Sequence, residues 1–246
     1  MIDSIVDLFH LNTVDLAAAK RDGIVAVIHK ATEGATVQDA EYRKRRDKAK
    51  ALGLLWGAYH YSSGVSVTDQ VANFITQAQP EDEDVIALDW ESSTSGSDMT
   101  LDQACRFVEM IKSELGRWPL VYGGRLLREA MGAKRQGVLA NCPLWYSRYA
   151  SSPIGIPTAT WPTYTLWQFT DGNSGPAPHS VKGIGRCDRS RFAGTVQELR
   201  LQWPFSRRDE GVAFGPGGEL LMARTASARK VRHPAHTRRA RKSRAT

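Results

Sequence analysis

Two carboxylates, Asp89 and Glu91, follow the apolar run VIAL at residues 85–88 and are separated only by Trp90. Charged side chains at the end of a buried run cost free energy unless they are paired or used. Side chains alternate along a strand, so Asp89 and Glu91 should face the same way, with Cα atoms roughly 6.5–7 Å apart. Their mutual repulsion raises one pKa, so one group can stay protonated while its neighbour is ionised. Glycoside hydrolysis needs such a proton donor and such an anion.

Further polar residues occur near the ends of other predicted strands. Asp7 and Asp188 add two carboxylates, and Glu33, Tyr61 and Tyr122 occupy comparable positions. Barrel enzymes place their chemistry at the carboxyl ends of the strands, so the fold would bring these residues to one rim. A magnesium or calcium site is the chief chemical alternative, because clustered oxygens suit hard cations. We predict no cofactor.

Eight short apolar runs that are typical of strands would have to position these residues. Five helix-like stretches alternate with the early runs, and several of them end at glycine, a frequent helix stop. Thr100 and Gln103 have the spacing of a capping box at the start of one helix. The strand-like runs lie at residues 4–9, 25–31, 54–61, 85–90, 119–124, 143–149, 165–170 and 185–192.

Repeated alternation of strand and helix predicts an α/β protein with a parallel sheet and helical crossovers. Eight strands in about 190 residues fit a closed barrel better than an open sheet. The last two connections are rich in Pro, Gly and Ser and read as loops. We therefore predict an irregular (β/α) TIM-like barrel, with about five βα units followed by three strands with little helix.

Charge divides the chain into two parts. Residues 1–200 contain 22 Lys and Arg against 23 Asp and Glu, whereas residues 201–246 contain 11 against 3. The basic character of the sequence therefore belongs to its end, and nucleic acid is an unlikely partner for the barrel. We predict domains at 1–200 (catalytic barrel), 201–221 (packing segment or linker) and 222–246 (basic, disordered tail).

Few other features of the sequence point to a function class. No apolar run is long enough to span a membrane. The three cysteines, Cys105, Cys142 and Cys187, have no disulfide or metal spacing and are expected to be buried free thiols. His10, His29 and His60 are expected to be packed or hydrogen-bonded, and the basic run at 42–50 to be a solvated helix face.

Eight motifs in order resemble glycoside hydrolase family 25, the lysozymes (N-acetylmuramidases) that cleave peptidoglycan. HKATEG and the LDWE strand are the most specific of them, and the first motif reads DLF where the family often has a small polar residue in place of Phe9. The motifs are VDLFH (6–10), VIHKATEG (27–34), WGAYHYSS (56–63), ALDWE (87–91), LVYGG (120–124), LWYSRYA (144–150), LWQFTDG (166–172) and GRCDRSRFAGT (185–195).

The resemblance implies hydrolysis of the β-1,4 bond between N-acetylmuramic acid and N-acetylglucosamine by a retaining mechanism. In that case Glu91 is the general acid/base, Asp89 is the nucleophile or the stabiliser of an N-acetyl-assisted intermediate, and Asp7 and Asp188 are supporting carboxylates. An inactive barrel that only binds cell-wall carbohydrate is the alternative from another class.

Six further residues are candidates for shaping the substrate groove. Lys30 and Glu33 either shape the site or form a structural ion pair. The others could stack on sugars or hydrogen-bond to them, although core packing is an equal alternative for each aromatic ring: Tyr61, Tyr122, Trp145 and Gln168.

The biological setting implied by the resemblance is a bacterial cell wall. MIDSIVDLFH has no basic n-region and no long apolar run, so we expect no classical signal peptide. The enzyme would then be made in the cytoplasm and act on peptidoglycan after release, as a phage endolysin does, or after export as an effector. The basic tail could adhere to anionic envelope polymers; a nucleic-acid-binding or merely solubilising tail are the alternatives.

Overall fold

The computed structural model describes residues 1–206 and two short strands beyond them, and it contains a closed eight-stranded barrel. The elements in chain order are β1 (Ile2–Leu8), α1 (Leu16–Arg21), β2 (Ala26–Glu33), β3 (Val37–Gln38), α2 (Tyr42–Ala51), β4 (Leu55–Tyr61), α3 (Val67–Ala78), β5 (Val85–Asp89), α4 (Leu101–Leu115), β6 (Leu120–Gly123), α5 (Arg125–Met131), a 3-10 turn (Leu139–Asn141), β7 (Leu144–Ser147), β8 (Leu166–Thr170), β9 (Ser180–Val181), β10 (Gly185–Arg186), β11 (Asp188–Phe192), α6 (Val196–Gln202), β12 (Ala213–Phe214) and β13 (Leu220–Leu221).

The barrel order confirms the predicted fold class and all eight predicted strands. Neighbouring strands follow the order β1-β11-β8-β7-β6-β5-β4-β2, and pairing of β1 with β2 closes the ring. Helices α1 to α5 each lie in a connection between two parallel barrel strands, whereas no α-helix connects β7 to β8 or β8 to β11. The irregular half of the barrel therefore lies where the Pro- and Gly-rich connections predicted it.

The last strand of the barrel runs in the opposite direction to the other seven. β11 pairs antiparallel with both β8 and β1. The connection from β8 to β11 contains only the small hairpin β9–β10 and no α-helix, whereas the crossover between parallel strands is usually helical. The chain therefore returns from the same end of the barrel at which β8 finishes, and Asp188 starts β11 instead of ending it.

Side-chain alternation divides the strands into two buried faces. On β5, Ile86, Leu88 and Trp90 belong to the layer between the barrel and the helices, while Val85 and Ala87 belong to the barrel interior. The inward rows are apolar near the amino ends of the parallel strands and polar at their carboxyl ends. The pattern of period two therefore places the polar groups of many strands at one rim.

The interior below this rim is filled. A Cβ added at Gly57 would lie 2.9 Å from Cβ of Val85 and 3.3 Å from Cγ1 of Ile28, so this narrow level of the barrel admits only glycine at that position. Near the other end, Trp203 and Phe192 join the interior cluster, and Trp203 Nε1 donates to the carbonyl of Trp56 over 3.1 Å. The barrel interior is therefore a packed core below the polar rim.

Helix ends follow the sequence signals. The predicted capping box at Thr100 and Gln103 is present, and α4 ends at Gly116 with a φ of 71°. A second capping box joins Thr195 to Glu198 at the start of α6. α6 runs through residue 200, the predicted barrel boundary, and the segment immediately after it contributes Trp203 to the interior cluster.

The chain divides into two compact units after residue 209. The first is Met1–Asp209 and contains the barrel; the second is Glu210–Thr246 and contains the antiparallel pair β12–β13. The predicted tail at 222–246 lies outside the described residues and stays a prediction. Within the described part of the chain, no helix combines the length and the apolar character needed to cross a membrane.

Two expectations, that all three cysteines are buried and that the basic run at 42–50 is a solvated helix face, are wrong in part. Cys142 and Cys187 are buried free thiols as expected, but Cys105 is only partly buried. The run at 42–50 forms α2, in which Arg45 is buried instead of solvated. Arg45 donates to the carbonyls of Phe9 and Asn12, and so ties α2 to the loop after β1.

Candidate active site

A cavity of about 260 Å³ opens at the polar rim of the barrel. Its lining confirms the expectation that the fold gathers carboxylates from distant parts of the sequence. The lining residues are Asp7, Phe9, Lys30, Tyr59, Tyr61, Asp89, Glu91, Thr94, Tyr122, Trp145, Tyr149, Gln168 and Asp188.

Nine of the ten residues singled out from the sequence line this cavity. Glu33 is the exception: it accepts hydrogen bonds from Lys30, which lines the cavity, and from the Thr94 hydroxyl at 2.7 Å. Lys30 also lies over the ring of Tyr61, with Nζ 4.8 Å from the ring centroid. Lys30 and Glu33 therefore form an ion pair at the edge of the site.

Trp90 fixes the direction of Asp89 and Glu91. Its side chain is fully buried on the outer face of the barrel, where Nε1 donates to the carbonyl of Met99 over 2.8 Å. Its backbone N–H donates to the carbonyl of Tyr122 and so extends the pairing of β5 with β6 beyond the last strand residue. With Trp90 held outward, its neighbours on both sides face the cavity.

Burial dominates the electrostatics of the four carboxyl groups. Loss of hydration, followed by repulsion from Asp188, raises the pKa of Glu91 to about 7. Burial, followed by repulsion from Asp171, raises the pKa of Asp188 to about 6. Burial and then Glu91 raise the pKa of Asp89 well above its ordinary value. The cluster can therefore hold protons near neutral pH, as a general acid requires.

Asp7 and Asp188 meet at the seam of the barrel, where they are directly opposite each other in the pairing of β1 with β11. Burial and then Asp188 raise the pKa of Asp7, which a hydrogen bond from Gln168 opposes. Asp7 Oδ2 accepts that bond over 2.8 Å. Oδ1 of Asp7 and Oδ1 of Asp89 are buried and have no hydrogen-bond partner among the described residues.

Such orphaned oxygens are expensive in a protein interior and are concentrated where function requires them. Within the described residues, no group of three or more His, Cys, Asp or Glu side chains has an arrangement that could hold a metal ion. The histidines are hydrogen-bonded as predicted; His60 Nδ1 lies 2.8 Å from Thr32 Oγ1 and Nε2 lies 3.1 Å from Gln70 Oε1.

Several residues of the site were missed from the sequence. Tyr59 and Tyr149 line the cavity, as do Phe9 and Thr94, and Asp171 influences Asp188. Alternation could have found the two tyrosines, because Tyr59 is two residues before Tyr61 and Tyr149 is four after Trp145. Thr94 lies in a Ser- and Gly-rich loop with no such pattern.

The family model for glycosyl hydrolases family 25 matches residues 6–177, which is more than two thirds of the chain. The chain belongs to this family. The match contains Asp7, Asp89 and Glu91 and ends before Asp188, which lies opposite Asp7 at the barrel seam.

Individual family 25 relatives are distant in sequence. The protein YegX of Escherichia coli K12 is 29% identical over 175 residues, which are 70% of this chain and 60% of that protein. The autolytic lysozyme of Clostridium acetobutylicum is 28% identical over 193 residues, or 74% of this chain and 52% of the relative. The chain thus matches little more than half the length of these curated relatives.

The solved structure of a family GH25 lysozyme from Aspergillus fumigatus is similar throughout the barrel. It superposes with a TM-score of 0.67 at 28% sequence identity, and the match covers 80% of this chain and 96% of that one. The predicted resemblance to family 25 and the predicted barrel are therefore both confirmed.

Proposed function

We propose that this protein is a peptidoglycan hydrolase that cleaves the β-1,4 bond between N-acetylmuramic acid and N-acetylglucosamine. The observation that carries the proposal is the rim cluster of Asp7, Asp89, Glu91 and Asp188 in a barrel of family 25. A lysozyme and an autolytic lysozyme among the similar proteins support the same substrate class.

Glu91 is the general acid in this proposal. With a pKa of about 7 it is protonated over the acidic range and can donate its proton to the leaving glycosidic oxygen. After proton donation it is the base that activates water for the second step, as a retaining mechanism requires.

Asp89 stabilises the positive charge that develops at the sugar carbon, either as a nucleophile or beside an intermediate assisted by the substrate's N-acetyl group. Glu91 and Asp89 repel each other when both are ionised, so Asp89 ionises more readily while Glu91 still holds its proton. Growth of positive charge on the sugar favours ionised Asp89 further. Asp7 and Asp188 complete the negative environment. An inverted product anomer would exclude both retaining versions.

The test is digestion of purified peptidoglycan by the wild type and by Glu91→Gln, with fragments analysed by mass spectrometry and reducing-end labelling. We expect the wild type to release fragments ending in reducing N-acetylmuramic acid and Glu91→Gln to release none while remaining folded. The surface variant Glu129→Gln, on exposed α5, is the matched control and should behave as the wild type.

Binding to the wall without fragment release by the wild type would instead support the non-catalytic carbohydrate-binding barrel. Fragments ending in reducing N-acetylglucosamine would assign the cut to the other bond of the glycan. Both outcomes would contradict the proposed activity.

We also propose that the enzyme acts outside the cell membrane, because its substrate lies there, and that its basic end helps to retain it on anionic wall polymers. Residues 223–246 contain nine Lys and Arg and no acidic residue. Such a segment attracts polyanions, and the attraction weakens as salt screens it. Adhesion would concentrate the enzyme at its substrate without altering the barrel.

Truncation at about residue 215 tests the retention on whole cells or walls. We expect activity on whole walls at low salt to fall, while activity on soluble glycan fragments stays unchanged. Equal activity of the truncated and full-length proteins on walls at low salt would remove the adhesion role, and binding of DNA with matching affinity would favour a nonspecific polyanion-binding tail.

A further inference from the structure

Gln168 lies deepest among the polar contacts of the site. It is 1% exposed, lies on β8 and faces the barrel interior. The sequence suggests a substrate-binding role, yet both ends of its amide are already bonded to the protein. A residue with this burial and this set of partners is better placed to orient a neighbour than to contact a sugar.

Two tyrosines determine which way the amide points. Tyr122 Oη donates to Gln168 Oε1 over 2.8 Å, and Tyr149 Oη donates to the same oxygen over 2.9 Å. Burial raises the pKa of both hydroxyls, so they remain protonated donors. Ser147 Oγ is a third, longer donor to this oxygen at 3.4 Å. With its oxygen occupied by these donors, the amide must present its N–H to the other side, where Nε2 donates to Asp7 Oδ2.

We propose that Gln168 is a positioning residue for Asp7: Tyr122 and Tyr149 orient its amide, and the amide N–H occupies Oδ2 and leaves Oδ1 as the oxygen through which Asp7 acts. The inference rests on the proposed function, in which Asp7 supports the reacting carboxylates. The bond also opposes the upward shift of the pKa of Asp7 that burial causes.

Other ionisable groups also face this carboxyl and contribute to any pH profile. They come from every element packed around it, namely Asp188 and Cys187 at the start of β11, Asp89 and Glu91 at the end of β5, Tyr59 on β4, Tyr122 on β6 and Tyr149 after β7. The test therefore compares each variant with the wild type at every pH instead of assigning a single titration.

The experiment measures kcat and KM on soluble glycan fragments from pH 4.5 to 8 for the wild type, Gln168→Leu and Gln168→Glu. For Gln168→Leu we expect kcat to fall about 10- to 100-fold with little change in KM, because Asp7 loses its fixed orientation. For Gln168→Glu we expect the deficit to shrink toward acidic pH, where a protonated glutamic acid can again donate to Asp7, and to grow toward alkaline pH.

Two further variants separate positioning from a structural role. Tyr122→Phe removes one hydroxyl and keeps the ring, whose centroid lies 4.6 Å from that of Trp145, so kcat should fall with thermal stability nearly retained. Gln70→Leu is the matched control, since Gln70 is a fully buried glutamine hydrogen-bonded to His60 and Ser63 outside the barrel interior. It should lose stability but keep the wild-type kcat and pH profile.

The outcomes are distinguishable. A rise in KM at unchanged kcat for Gln168→Leu would make Gln168 a substrate contact and overturn the inference. If the kcat of Gln168→Glu divided by the kcat of the wild type does not vary with pH, the inference is overturned as well. If the wild type releases no fragments, the proposed function fails and the role of Gln168 fails with it. If the wild type is active and the Gln168 variants are equally active, the positioning role alone is wrong.

Discussion

Two groups of buried polar side chains lie on opposite sides of the barrel wall, and they are stabilised very differently. On the outer face, His60 is bonded at both ring nitrogens and Gln70 at both ends of its amide. On the inner face, Asp7 on β1 and Asp89 on β5 each keep an oxygen with no partner among the described residues.

The difference teaches that burial alone does not identify a site. Burial lowers the pKa of His60 to about 4, which keeps the ring neutral and suits a fixed structural network. Burial raises the pKa values of Asp89 and Glu91, so these carboxyl groups can stay protonated near the reacting bond. Satisfied polar groups should therefore govern stability, and unsatisfied ones should govern activity.

The largest expected effect is on activity at the inner face. Asp89→Asn should lower the rate of fragment release by about 10³-fold, because it removes the anion that faces the developing positive charge. The free energy of unfolding should stay equal or rise, since a buried repelling carboxyl is lost. Fragment release and urea unfolding of the same preparation measure both; a clear loss of stability would show that Asp89 is structural.

The opposite result is expected at the outer face. His60→Ala should lower the free energy of unfolding by about 3 kcal/mol, because it leaves a cavity and removes the partners of Thr32 and Gln70. Protein that remains folded at low temperature should keep its specific activity. A rate loss as large as that of Asp89→Asn would contradict the separation of the two groups.

Changes of pH should act on the inner face first. Activity should fall as pH rises through about 7, where Glu91 loses the proton it donates. The folded-state pKa values of Glu91 and Asp188 are raised, so their contribution to stability is full below about pH 4 and is lost as pH rises through about 6 and 7. Rate profiles and urea titrations across this window should decline together, and Glu91→Gln should flatten part of the stability change.

The smallest expected effect concerns a satisfied polar pair inside the barrel. Ser190 Oγ accepts a hydrogen bond from Trp145 Nε1 over 2.9 Å, close to the carboxylates. Ser190→Ala should lower the free energy of unfolding by about 1–2 kcal/mol, because a buried donor loses its partner. Thermal unfolding measures the change. If Ser190→Ala loses no stability, the hydrogen bonding of a buried polar side chain does not determine its effect on stability, and the two faces differ only in where their polar side chains lie.

Much of the barrel was predictable because its signals are local. The apolar runs at 54–61 and 85–90 and the caps at Thr100 and Gly116 depend on neighbouring residues alone. The antiparallel course of β11 was not, since strand direction depends on a connection whose Gly- and Pro-rich sequence indicates only a loop. The direction of β11 could be read only once the ring had closed.

The site divides in the same way. Alternation brings Asp89 and Glu91 together from two neighbouring positions, whereas the bond between Asp7 and Gln168 joins residues 161 positions apart. Its two tyrosine partners, Tyr122 and Tyr149, come from β6 and from the loop after β7, and no spacing in the sequence indicates that both hydroxyls meet this amide. The carboxylates and Gln168 were therefore predictable as candidates, but the hydrogen bond by which the buried amide holds Asp7 was not.

The seam between β1 and β11 determines when, during synthesis of the chain, the barrel and its site can be completed. Asp7 is synthesised near the start and Asp188 much later, yet the two lie opposite each other. At about 5–20 residues per second, a ribosome needs roughly 10–40 seconds to make the intervening chain. Until then the last strand is absent and the ring cannot close, so an interrupted nascent chain carries the Asp89–Glu91 pair without the partner that completes its site.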